Sequence, residues 1–162
     1  MRKLLLACLL FATYPVMAQT SSANGQEASQ PFKKANAVVI TTPDSLDTAY
    51  KKIAQAILEA GYTIDRADKE LHFINTKARP IARMGLQESL QASLKPGAGG
   101  SVILLSGTFA SPSMAAMSPL MAGDSKVEYK GMKGSPIMAC WEELQRVARL
   151  YQGGALTYKQ QP

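Results

Sequence analysis

Few residues in this chain are equipped for chemistry, and their spacing narrows the options. Met114, Met117 and Met121 recur at close intervals in a stretch rich in Ser, Pro and Ala, with Met132 and Met138 beyond. Soft thioethers of this kind can hold Cu(I), although no histidine joins them at ligand spacing. They can also give a protein or lipid partner an adaptable apolar contact, or fold down over an open edge of the core. A nucleophile in need of a base has only His72, the single histidine. Its surroundings predict a partly exposed strand position, and a triad is recognised by geometry rather than by one residue. No Gly-x-Ser-x-Gly elbow occurs. Cys140 falls in the first turns of a predicted helix, where a dipole can lower a thiol pKa. It adjoins Trp141 and can reach Leu144, so the expectation is a buried small hydrophobe. Of the carboxylate pairs, Asp44/Asp47 suits a helix opening, Asp65/Asp68 a turn and Glu142/Glu143 the polar side of a helix. Pro96-Gly97-Ala98-Gly99-Gly100 lacks the Lys-Ser/Thr of a phosphate loop and stands between two predicted strands, which makes it a turn. No catalytic set and no cofactor site emerge, and the expectation is a protein that is not an enzyme.

The elements that must position these residues follow an address. Arg2 and Lys3 precede the apolar run Leu4 to Tyr14, and Val16 and Ala18 stand at the minus-three and minus-one positions of a cut before Gln19. This is the pattern of a secretory signal peptide over 1–18, and it predicts an exported protein, periplasmic or secreted. Leu5-Leu6-Ala7-Cys8 looks like a lipobox, but apolar residues continue past Cys8 and too few precede it, so lipid anchoring is not expected. Cleavage would remove two of the eighteen basic residues and leave sixteen against twelve acidic, a net charge of +4 in place of +6. The densest basic pairs, Lys33-Lys34 and Lys51-Lys52, make no concentrated stripe, and nucleic acid is not an expected partner. No later apolar run is long enough to span a membrane. Cys140 would be alone after processing, so no internal disulfide can form and the core must hold the fold. A domain of about 150 residues buries roughly 68–70% of its unfolded surface, which makes this feasible.

Residues 19–34 are polar and lack apolar periodicity, which predicts a disordered spacer. A single domain is expected over 35–158, with 159–162 as a tail. Ala35 to Thr41 reads as a β-branched strand. Thr42 as cap and Pro43 at the first helical position open a helix with an apolar face of Leu46, Ala49, Tyr50, Ile53, Ile57 and Ala60, ended by Gly61. Tyr62 to Asp65 and Leu71 to Thr76 read as a hairpin, with His72, Ile74 and Thr76 sharing a face. Residues 84–95 fit a helix through Leu86, Leu90 and Leu94. They also fit a strand with Leu86, Glu88, Leu90, Ala92 and Leu94 on one side, although Glu88 is awkward there. The turn at 96–100 and the plain strand Ser101 to Leu105 favour the strand. A loop over 110–125 carries the methionines, and a short strand is expected at Lys126 to Lys130. Ser135-Pro136 opens a second helix with a stripe of Ile137, Trp141, Leu144, Ala148 and Tyr151. Leu156 to Tyr158 can add a last strand. The order β-α-β-β-β-β-(β)-α predicts a two-layer α+β domain, an antiparallel sheet of about five strands with both helices on one face.

This order, with Val38-Val39-Ile40-Thr41-Thr42-Pro43-Asp44-Ser45-Leu46 running into a helix that ends Glu59-Ala60-Gly61-Tyr62, resembles the small exported α+β proteins of Gram-negative bacteria that carry a TBP-like or helix-grip sheet. The folded domains of the outer-membrane assembly lipoprotein BamC belong among them. The resemblance covers 35–158 and implies the fold; it carries no activity. The export signal, the two-layer domain and the missing catalytic set together predict a non-enzymatic binding or scaffolding module with an envelope protein or lipid as partner. The working surface would be the open sheet face or the 110–134 loop. Soft-metal handling by the methionines and an enzyme with an unrecognised site are the alternatives. Oligomeric state is not legible.

Overall fold

The computed structural model describes residues 26–81, 85–112 and 123–162. The expected signal segment with its cut between Ala18 and Gln19, and the methionines Met114, Met117 and Met121, lie outside these residues.

The fold is α+β, with two helices and one large antiparallel sheet among the described residues. The strands are β1 (Glu27–Ala28), β2 (Ala37–Thr42), β3 (Ile64–Asp68), β4 (Phe73–Thr76), β5 (Arg79–Pro80), β6 (Gln87–Gly97), β7 (Gly100–Ala110), β8 (Ser125–Lys126) and β9 (Ala155–Lys159). The helices are α1 (Leu46–Glu59) and α2 (Pro136–Leu150). The sheet therefore has nine strands, not about five. Its order is β1-β9-β2-β7-β6-β4-β3, with β5 also on β6 and β8 also on β7. The expectation counted runs of apolar alternation. Three of the strands, β1, β5 and β8, are two residues long and carry no such pattern. Backbone pairing with a longer neighbour recruits them.

The frame is the β6–β7 hairpin, paired from Gln87↔Ala110 to Gly97↔Gly100 around a turn at Ala98-Gly99. Strand alternation wins over the helical spacing of the leucines. Leu86, Glu88, Leu90, Ala92 and Leu94 are buried while Gln87 and Gln91 are exposed. On β7, Ile103 and Leu105 face the same side. The helices cover that side, α1 over β6 and β7, α2 over β2 and β7. Trp141 is fully buried between Tyr129 and Tyr158, with ring centroids 5.8 and 6.0 Å away.

Local boundaries moved where tertiary contacts compete. The N-cap of α1 is Ser45, whose hydroxyl accepts from Thr48 N, not Thr42. Thr42 instead ends β2, and its hydroxyl accepts from Asp44 N. Ser135 caps α2 and Pro136 opens it, as expected, although Met138 rather than Ile137 is the buried residue of the first turn. His72 is not in a strand. It has φ of 51°, a left-handed turn conformation, and β4 begins after it. Leu71 beside it is 73% exposed.

Described residues of the expected spacer and tail pair with the domain. Glu27–Ala28, inside the expected spacer, pairs with β9. The Asn36 side chain donates to Gln161 O at 3.0 Å and accepts from Gln161 N at 2.7 Å, which ties down the residues after β9. No helix among the described residues is long and apolar enough to cross a membrane.

Candidate functional site

Both of these helices lie on one side of the sheet, and among the described residues no long helix covers the other side. Register across the sheet lines up Thr157, Val39, Leu104, Ser93 and Phe73 in one row, and Ala155, Thr41, Val102 and Lys95 in the next. These are the alternate residues of strands whose other face fills the core. Residues of these two rows line a recess of about 320 Å³, with Val39, Val102 and Leu104 as its apolar part and Thr41 and Ser93 as hydroxyl groups. That lies at the small end of the roughly 300–1,000 Å³ typical of small-molecule sites. Val39 is only 6% exposed and sits deepest. Lys95, Lys159 and Glu27 flank the recess. Glu27 stands directly opposite Lys159 and accepts a hydrogen bond from Thr157 Oγ1 at 2.6 Å. Neither lysine takes part in an ion pair among the described residues. With Glu27 next to Lys159, Lys95 is the recess cation without a carboxylate neighbour among the described residues.

A second polar assembly lies between the helices and the sheet. Glu88 on β6 is 0% exposed. Tyr62 OH donates to its Oε2 at 2.8 Å, and Oε1 has no partner. Gly107 leaves room for this carboxyl: a Cβ there would stand 3.3 Å from Oε1 and 3.2 Å from both Leu90 and Val127. Burial pushes Glu88 up to about 8, and the nearby Glu143 charge adds to it, while the Tyr62 bond and the Arg79 and Arg146 charges pull the other way. The group is therefore neutral at pH 7. Arg79 on β5 stacks 4.2 Å from the Tyr62 ring centre and donates to Glu143 at 2.6 Å and to Ala60 O at 3.1 Å. Arg146 on α2 donates to the same two acceptors, both at 2.7 Å. Burial raises Glu143, but the bond and charge of Arg146, then those of Arg79, outweigh it and hold the carboxylate low. Ala60 is the last cap residue of α1, whose final turn contains no basic side chain of its own. The two arginines supply that charge from outside, where the helix dipole is negative.

A cleft of about 380 Å³ opens beside this assembly, lined by Arg79, Pro80, Ile81, Ser135, Glu142 and Glu143 among others. It is larger than the sheet recess, yet its arginine and Glu143 satisfy each other. Among the described residues, the recess holds a cation without a carboxylate neighbour beside apolar surface, and is the stronger candidate for a ligand.

The residues singled out in the sequence are dispersed. His72 packs edge-on to Tyr50, with ring centroids 6.4 Å apart, and serves a turn. Cys140 is buried, as expected, and burial first, then the Glu88 charge, pushes its thiol up to about 12, which leaves it inert as a nucleophile. Asp68 does hold a turn, accepting from Glu70 N and Leu71 N. Met132 is exposed and Met138 is buried against the core, so these two do not converge. Among the described residues no group of three or more His, Cys, Asp or Glu could hold a metal ion. Sequence reasoning missed Arg79, Tyr62 and Arg146 as partners. The signal for them was Glu88 itself, an acid in the buried register of a strand. No protein-family model matches the chain, and no curated protein does either.

Proposed function

We propose that this protein is an exported binding module of the cell envelope, without a catalytic step, that takes a small amphipathic anion on the face of its sheet opposite α1 and α2. The observation that carries this reading is the recess over Val39, Val102 and Leu104 with Lys95 at its edge. Apolar side chains next to hydroxyls and an unpaired ammonium complement a ligand with an apolar body and an anionic end, such as a fatty acid or a lipid fragment. The test is a titration of residues 19–162 with decanoate, followed through backbone amide resonances. Expected are shifts confined to β2, β6, β7 and β9, and an affinity reduced about two- to fivefold in Lys95→Glu, the yield of one exposed ion pair. Shifts that map to the cleft at Arg79, or none up to the solubility limit of decanoate, would overturn the reading.

A further inference from the structure

Two buried polar atoms near each other in the fold lack partners, and they are complementary. Arg79 Nε is a donor with nothing to donate to, and Glu88 Oε1 is an acceptor with nothing to accept. Arg79 and Glu88 are direct cross-strand partners between β5 and β6. Side chains at paired positions project from the same face of a sheet. The bond that would satisfy both atoms is not made, because the guanidinium is turned to Glu143 and Ala60 O. Arg146 already bonds both of those acceptors, so they keep a donor if Arg79 leaves.

We propose that Arg79 and Glu88 form a proton-dependent latch: with the Glu88 carboxyl neutral, Arg79 serves Glu143 and the end of α1, and when Glu88 gives its proton to solvent the guanidinium swings its Nε–H onto Oε1. Among the described residues, the titratable and charged groups that act on Glu88 come from three parts of the fold. The segment after α1 contributes Tyr62, whose hydroxyl bond to Oε2 strengthens when the acceptor becomes an anion. From α2 come Cys140, Glu143 and Arg146. From β5 comes Arg79. Gly107, Phe109 and Val127 bring no titratable group. A buried anion is tolerated only when paired, and Arg79 is the cation whose backbone already lies opposite. The swing takes Arg79 out of the wall of the cleft beside Glu143. It thereby makes the packing of β5 against α2 dependent on pH. It does not depend on the sheet recess or its ligand.

The measurement is a pH titration of the full mature chain by NMR, reading Glu88 through its side-chain carbonyl carbon and Arg79 through its Nε–H pair. Expected is one transition shared by both signals near pH 8, with the Arg79 Nε–H moving downfield as it acquires an anionic acceptor. In Glu88→Gln, which keeps the shape of the neutral acid, the Arg79 signal should stay flat across that range. In Arg79→Lys, which keeps the charge but has no Nε, the Glu88 transition should move to higher pH. An Arg79 Nε–H that ignores the ionisation of Glu88 would overturn the latch. So would a Glu88 transition near 4.5, or a Glu88 that stays neutral until the protein unfolds.

Discussion

The helix layer has a carboxylate at each end, and the two ends treat it in opposite ways. Where β2 passes into α1, Asp44 accepts from Lys52 Nζ at 2.8 Å, from Tyr151 OH at 2.7 Å and from Thr42 Oγ1 at 3.1 Å. The bonds from Lys52 and Tyr151 hold it below the ordinary range. Where α1 ends, Glu88 is 0% exposed, has one hydroxyl donor and forms no ion pair among the described residues, and burial keeps it protonated. Strand β7 runs beneath both. Ser101 donates to Asp44 O at 2.9 Å, and Gly107 makes room for Glu88. The lesson concerns solvent and donors. Each carboxyl accepts from a tyrosine hydroxyl, but only the partly exposed one with several donors is ionised.

The largest blow to this arrangement should come from Gly100→Ala. A Cβ there would stand 2.1 Å from Thr42 O and 2.7 Å from the Pro43 Cα, both backbone atoms that cannot rotate away. The expected loss is about 3 kcal/mol or more in urea unfolding. Because the strain falls on the turn that carries Asp44, the Tyr151 hydroxyl bond should be lost with it.

Next in size is the pH profile of stability. Glu88 is raised in the folded chain from 4.5 to about 8, so between those values the native state holds a proton that the unfolded chain has lost. Stability should therefore be highest below pH 4.5 and fall as pH rises to about 8. Glu88→Gln should flatten that limb and be more stable than the parent at pH 8 by on the order of 2 kcal/mol. Asp44 has the opposite sign. Its folded value lies below 3.8, so its contribution is present above that pH and lost on further acidification. Asp44→Asn should flatten the acid limb and lower stability above it, leaving the Glu88 limb unchanged. Unfolding midpoints in urea from pH 3 to 9 for the parent and both variants check the two signs together.

The smallest effect is expected from Glu143→Ala. Its side chain is 25% exposed and holds Arg79 and Arg146, so the loss is discounted for solvent to about 1–2 kcal/mol. Hydrogen exchange at the last turn of α1 should quicken more than at its first turn, because the two arginines that cap Ala60 O lose their anchor. Equal changes at both ends of α1 would show that the clusters are not independent.

Much of the scaffold was legible because it rests on periodicity. The β6–β7 hairpin follows from alternating residues around Pro96-Gly97-Ala98-Gly99, and both helices follow from their apolar stripes. Burial of Cys140 followed from its neighbours. The start of α1 was displaced by three residues because Thr42, Pro43 and Ser45 all suit a helix opening, and only the contact with Tyr151 and Ser101 keeps Thr42–Asp44 outside it. His72 was placed in a strand because a left-handed φ at a non-glycine residue leaves no mark in the sequence.

The sequence by itself determined the fold class, the two helices and which side of each long strand is apolar, because hydrophobic period is a local property of the chain. Tertiary structure decided which strands neighbour one another: β9 from the C-terminus lies beside β2, and β1 from the expected spacer covers the outer edge of β9. It also decided the meaning of Glu88. An acid at an inward strand position is a conflict in the sequence alone. Its resolution needed Tyr62 from the end of one helix, Gly107 from the next strand and Arg79 from a two-residue strand, brought together only when the sheet closes against its helices.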